Sequence, residues 1–201
     1  MTSLSDEGHI KRLLNDRIEF KLYAAEQHMN RLKEIENAYG DIAKENARIE
    51  VEMEVDCFLS QLVGAVDSLL FQINDRLDLG IPTDCVNIAN VQSALSAKTK
   101  KIDLLAPLDM ARQQGNSYYL LSALRNQLVY RTFLKKVISV QDSPPKPLQV
   151  RFLNIQRESE DNPFDRIMDM EVIQYLEKSL QQVRELIFAI RAAEPLLQEQ
   201  P

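Results

Sequence analysis

Val55-Asp56-Cys57-Phe58-Leu59-Ser60-Gln61-Leu62-Val63-Gly64-Ala65-Val66-Asp67-Ser68-Leu69-Leu70 is the stretch that decides the fold. Val55, Phe58, Leu59, Leu62, Val66 and Leu69 recur at spacings of three and four, and Ile49 before them and Ile73 and Leu77 after them extend the same stripe. Such a period is one face of a long amphipathic helix. Gly80-Ile81-Pro82 supplies its stop. Upstream, Ile10, Leu13, Leu14, Ile18, Leu22, Ala25, Met29, Leu32, Ile35 and Tyr39 trace a second stripe, which predicts a helix over residues 8–39 ended by Gly40, with Asp41 able to cap the next helix. The two form a hairpin or one kinked rod, and the sequence leaves that choice open. Composition agrees with helices: the 201 residues hold only five Gly and no Trp, 45% are apolar and 27% charged. That balance suits one globular domain able to bury a core without disulfides, and excludes wholesale disorder and collagen-like repetition.

Downstream, Val91 and Leu95, then Leu104, Leu105 and Leu108, predict two short helices within 83–114, with Pro107 early in the second or ending it. Gly115-Asn116-Ser117 is a stop followed by a cap, and Leu120, Leu121, Leu124, Leu128, Phe133, Leu134 and Val137 predict a helix of about 21 residues. Between 138 and 162 lie Ser143-Pro144-Pro145-Lys146-Pro147 and the alternating Leu148-Gln149-Val150-Arg151-Phe152, a short edge strand or an extended cover. Asn162-Pro163 with Asp165 looks like the opening of a last helix over 163–194. Its Ile173, Leu176, Leu180, Val183, Ile187 and Ile190 form a narrow seam suited to antiparallel packing or to a second copy. The expected fold class is all-α: an antiparallel helical bundle of about five main helices in a single domain over 1–201, with an extended excursion before the last helix.

A net charge of −6 and a pI near 5.1 argue against a surface that grips nucleic acid everywhere, so any anion site must be local. Neither a transmembrane run of about 18 apolar residues nor the basic and apolar regions of a signal peptide are seen, and a cytoplasmic protein without membrane attachment is expected. Cys57 and Cys85 stand far apart without a C-x-x-C, so buried or inert thiols are expected. Common nucleotide-loop, zinc-protease, hydrolase and EF-hand signatures are missing. His9 and His28 are the only histidines, and Glu50, Glu52, Glu54 and Asp56 fall at every second residue, spread around a helix; neither a metal nor a cofactor is expected.

Charge is distributed unevenly. No acid occurs between Asp109 and Asp142, where Arg112, Arg125, Arg131, Lys135 and Lys136 contribute +5, leaving −11 on the rest. A solvated face and a site for an anion or RNA phosphate both fit this pattern. Within it stands Leu124-Arg125-Asn126-Gln127-Leu128-Val129-Tyr130-Arg131. At about 100° per residue Asn126 and Tyr130 share a face, Arg125 flanks it, and Tyr119, Ser122 and Phe133 extend it beside the Leu seam. Arg125, Asn126 and Tyr130, with Arg131, Lys135, Tyr119 and Ser122 around them, are therefore candidate contacts to an anionic guest, because a guanidinium among aromatic groups can grip phosphate with two hydrogen bonds.

Here the chain resembles the HEPN superfamily, helical bundles found in many prokaryotic toxin, defence and RNA-processing proteins. The resemblance rests on Arg125-Asn126 late in a bundle helix, preceded by a long helix with Glu54-Val55-Asp56-Cys57-Phe58-Leu59 and Ala65-Val66-Asp67-Ser68-Leu69-Leu70. It covers about residues 45–137, with the helices at 8–39 and 163–194 flanking it. Active members carry Arg-polar-x-x-x-His, whose Arg and His act on RNA without metal, commonly across a dimer interface. Arg125 and Asn126 match the first two positions, and Tyr130 occupies the place of the histidine. The resemblance implies a homodimer that binds RNA or a nucleotide, of the toxin–antitoxin type with an antitoxin-like protein partner.

The tyrosine changes the chemistry. Cleavage through the 2′-hydroxyl of RNA needs one group to take a proton and another to give one near neutral pH, which imidazole at about 6.5 can do and a phenol at about 10 does poorly. The rate loss expected is on the order of a hundredfold, so the nuclease is expected to be weak or degenerate. Asp56 and Asp67, on the margins of the second helix, are candidates for orienting Arg125, or are ordinary surface acids. Tyr118 and Tyr119 could stack bases or serve as core. The alternative function is a non-catalytic helical module that binds a protein partner.

Overall fold

The computed structural model describes residues 4–38, 45–98, 102–113, 116–130, 136–139, 149–152 and 170–197. Its axis is the helix read first from the sequence, α3, Glu45–Arg76. Val55, Phe58, Leu59, Leu62, Val66, Leu69 and Ile73 of the predicted stripe are fully buried, and so are Val63 and Ala65 outside it. A helix buried on more than one face must have neighbours on several sides. They are α2 (Arg17–Ala38), α6 (Ser117–Tyr130) and α7 (Val172–Ala193), all of which pack on α3.

Side-chain pairs fix the directions. His28 pairs with Glu54, and Lys21 lies against Gly64, so α2 and α3 run antiparallel and the hairpin is realised rather than the rod. Lys33 pairs with Glu177, Glu26 with Arg184, and Asp16 with Arg191, so α2 is antiparallel to α7 as well. Consequently α3 and α7 run parallel to one another.

The predicted helix over 8–39 is two helices, α1 (Leu4–Asn15) and α2, divided at Asp16. Asp16 Oδ1 accepts from the backbone N–H groups of Ile18 (2.9 Å) and Glu19 (3.2 Å), making it the N-cap of α2, and Oδ2 receives Arg191 of α7 at 2.8 Å. A short carboxylate that satisfies new N-terminal donors competes with continuous helix. The two short helices are present as α4 (Ile88–Lys98) and α5 (Ile102–Arg112), with Pro107 inside α5.

The helix expected to run to residue 137 is shorter. α6 is described over Ser117–Tyr130, and Lys136–Ser139 form a strand, β1, paired antiparallel with β2, Gln149–Phe152, from Lys136 opposite Phe152 to Ser139 opposite Gln149. The β-branched pair Val137-Ile138 favours this pleated ribbon over helix. The alternation at 148–152 is therefore a strand, and Val150 is fully buried. The protein is all-α apart from this ribbon, with seven described α-helices against about five expected. The expected stop at Gly40, the cap at Asp41 and the opening at Asn162-Pro163-Asp165 lie outside the described residues. The last helix, expected over 163–194, begins only at Val172: Glu171 before it is extended backbone bridged to Arg151, so no helix runs unbroken from 163.

Among the described residues one stretch, Ala47–Arg76, is long and apolar enough to cross a membrane, with mean hydropathy 1.2, and half of it is buried inside the bundle. Its apolar side chains are those of the core, which accounts for the composition without lipid.

Candidate functional site

Asn116 opens α6: its Oδ1 accepts the backbone N–H of Tyr118 at 3.0 Å, and its carbonyl accepts that of Leu120. The cap therefore falls one residue before Ser117. From this start α6 buries Leu120, Leu121 and Leu124 and turns Tyr119, Ser122 and Arg125, spaced by three residues, toward a cleft of about 640 Å³. Asp67, Leu70 and Phe71 of α3 form a facing wall, the segment Thr83–Ala89 a rim, and Ala111 and Arg112 at the end of α5 close it. The volume falls within the usual range of small-ligand sites, about 300–1,000 Å³.

At the base of the cleft Arg125 Nη2 lies 3.4 Å from Asp67 Oδ2, a long ion pair. The buried Tyr118 also acts on Asp67 from beside it. Burial pushes the Asp67 carboxyl above its ordinary value, against the pull of Arg125, Lys21 and Tyr118 in the other direction. Lys21 is lowered by burial and by Arg17, and raised by Asp67. Tyr118 is raised by burial and by the Asp67 charge. A phenol so disposed stays protonated and holds the carboxylate in place. Arg125 is the partly exposed end of the set: its side chain is 25% exposed, and among the described residues its one long ion pair leaves guanidinium donors for a guest in the cleft.

A second guanidinium shares the cleft. Arg112 Nη1 donates to Gln92 Oε1 at 2.7 Å, and Gln92, buried on α4, donates through Nε2 to Asp109 Oδ1. Gln92 thus fixes Arg112 by the carbonyl end of an amide whose other end is already used. In the sequence Arg112 is one charge in a basic run; that it joins Arg125 depends on how α5 packs beside α6. Phe71 and Asp84, also on this cleft, carried no signal in the sequence beyond being an aromatic and an acid near a helix end.

The structure brings Arg125, Tyr119, Ser122 and Asp67 together. Asn126 is exposed, one position on from Arg125, and does not line the cleft. The backbone of Tyr130 is the last described position of α6, while its side chain, with Arg131 and Lys135, lies outside the described residues. Asp56 precedes Asp67 by three helical turns, about 16 Å along α3, and does not line the cleft. Both cysteines are exposed rather than buried. Partial desolvation and the acids Glu54 and Asp56 raise the Cys57 thiol, which disfavours its reactive thiolate. Among the described residues no three His, Cys, Asp or Glu side chains gather as a metal site.

No family model, no curated protein and no solved structure matches the chain.

Proposed function

We propose that this protein binds single-stranded RNA in the cleft between α3 and α6, as a homodimeric, HEPN-like protein whose metal-independent nuclease is degenerate. The observation that carries the reading is Arg125: a partly exposed guanidinium on an open cleft, beside a second arginine and held by one long contact to Asp67. Exchange of that contact for a phosphate oxygen replaces one anion by another without moving the helix. Phosphate held this way neither needs nor supplies a base, and a tyrosine in the histidine's place lowers any cleavage rate.

The test is binding of a fluorescent single-stranded RNA at two salt concentrations, together with metal-free cleavage. Wild type should bind with an affinity that falls as salt rises, and Arg125→Ala with Arg112→Ala should abolish binding. Tyr130→His should raise cleavage. An RNA affinity indifferent to the double substitution sinks the phosphate assignment; a Tyr130→His variant as inert as wild type removes the nuclease ancestry.

One observation favours a second reading, the protein-interaction module. Met110 of α5, 59% exposed, lines a groove of about 280 Å³ with Pro107 and, from α7, Leu186 and Ala189, and Phe188 of the same α7 is 75% exposed. That groove shares Ala111 and Tyr118 with the Arg125 cleft but neither of its arginines, so the two readings differ in which variants lose which ligand.

A further inference from the structure

The Arg125 cleft has a wall that phosphate binding does not use. Phe71 on α3 and Tyr119 on α6, residues 40% and 36% exposed, both line it from two different helices. Exposed aromatic groups inside a cleft are the usual platform for an unpaired base. Across the same cavity, on the rim, stands Asp84, in the 3₁₀ turn Thr83–Cys85. It is exposed, and among the described residues its carboxylate has no hydrogen bond or ion pair. Asp67, the other acid of the cleft, is engaged by Arg125 and Tyr118.

The rim is held rigidly to the helix that carries Phe71. Asn74, one turn beyond Phe71 on α3, clamps Ile81 from both sides: its Nδ2 donates to the Ile81 carbonyl at 2.9 Å, and its Oδ1 accepts the Ile81 N–H at 3.0 Å. Asp78 (φ 46°) and Gly80 (φ 69°) take the left-handed backbone that this return requires. Pro82 then accepts the Cys85 N–H at 2.8 Å and closes the turn that holds Asp84. These bonds brace the backbone of the Asp84 turn against the helix that carries Phe71, so the cleft's free carboxylate and one of its aromatic groups come from one braced unit, an arrangement suited to reading the edge of a stacked base.

Resting on the RNA reading above, we infer that Asp84 is a specificity residue that selects guanine in single-stranded RNA, with the base against Phe71 and Tyr119 and its phosphate toward Arg125 and Arg112. The chemistry singles out one base. A carboxylate accepts two parallel hydrogen bonds, and guanine alone presents two adjacent donors, N1–H and the N2 amine, on its pairing edge. Adenine, cytosine and uracil each offer that edge one donor and set an acceptor beside it, where a carboxylate is repelled.

The experiment measures dissociation constants of the full-length protein for the heptamers UUUGUUU, UUUAUUU, UUUIUUU (I, inosine) and UUUUUUU. The guanosine heptamer should bind about tenfold more tightly than the uridine one, as a two-bond base contact gives. Inosine, which keeps N1–H and lacks the N2 amine, should fall between, and adenosine should gain less than guanosine, since stacking alone serves both purines. Asp84→Asn should bring the guanosine-to-uridine ratio close to one, while Asp103→Asn, an exposed acid of α5 away from the cleft, keeps it. A wild-type ratio near one, equal preference for adenosine, or a ratio that survives Asp84→Asn overturns the assignment. In each of those cases Arg125-dependent binding leaves the RNA reading standing. Failure of all four heptamers to bind overturns both.

Discussion

Glu36 sits where the β-ribbon meets the bundle, and its ionisation is the most quantifiable handle the fold offers. It is 8% exposed on α2, its Oε1 accepts the backbone N–H of Val150 in β2 at 3.3 Å, and Glu171, just before α7, stands near enough to repel it. Burial first and Glu171 second outweigh the Val150 hydrogen bond and push its carboxyl up from 4.5 to about 7. A raised acid binds its proton more tightly in the folded chain than in the unfolded one. The resulting stability is fully present below about pH 4.5 and is lost as pH rises through about 7. At about 1.4 kcal/mol per pH unit the full displacement is worth about 3 kcal/mol, and water reaching the edge of the bundle leaves about 2 kcal/mol. Glu36→Gln keeps an acceptor for Val150 and cannot ionise. In urea unfolding the stability of the variant relative to wild type should rise by about 1–2 kcal/mol between pH 5 and pH 8. Other titrating groups are common to both proteins and cancel in the difference. Parallel stability curves from pH 5 to 8, or a variant that loses stability relative to wild type across that range, would refute the account of Glu36.

Two further predictions rest on ion pairs and buried hydroxyls. Arg191 joins Asp16 and Glu19 with its side chain 18% exposed and that of Asp16 8% exposed, so Arg191→Ala strands a buried acid and should cost about 3 kcal/mol in urea unfolding. Arg184→Ala, breaking a pair with Glu26 that is 40% and 39% exposed, should cost under about 1 kcal/mol in the same assay, and equal losses would contradict the burial argument. Tyr118→Phe removes the buried hydroxyl that acts on Asp67 and should cost about 1 kcal/mol of stability. An unchanged unfolding midpoint would mean that Arg125 and Lys21 satisfy Asp67 without it.

Much of the frame could be read directly because it depends on period. The stripe from Val55 to Ile73 is the buried face of α3, and the seam Ile173, Leu176, Leu180, Val183, Ile187 and Ile190 is buried in α7. Where local signals compete, periodicity along the chain misleads. Asn15-Asp16 lies within a continuous apolar period, yet the carboxylate of Asp16 caps a new helix because Arg191, 175 residues away, holds it there. Val137 continues a Leu period and still enters a strand, since its partner Arg151 lies beyond a proline-rich stretch. The candidate site divides in the same way. Arg125, Ser122 and Tyr119 are legible as one face of one helix, whereas Arg112, Asp84 and Phe71 join them only through the packing of α5, the turn after α3 and α3 itself.

The sequence alone determined the helical class, the long apolar helix at the centre and the arginine-bearing face of α6, because a periodicity of 3.6 residues is a property of neighbours within a few turns. The tertiary structure alone decided that α2 lies antiparallel to both α3 and α7, that Asp67 rather than Asp56 meets Arg125, and that two arginines and Asp84 share one cavity. Those outcomes depend on which faces pack together and on the distances between them. A one-dimensional pattern fixes which side chains share a helix face but not what lies opposite it.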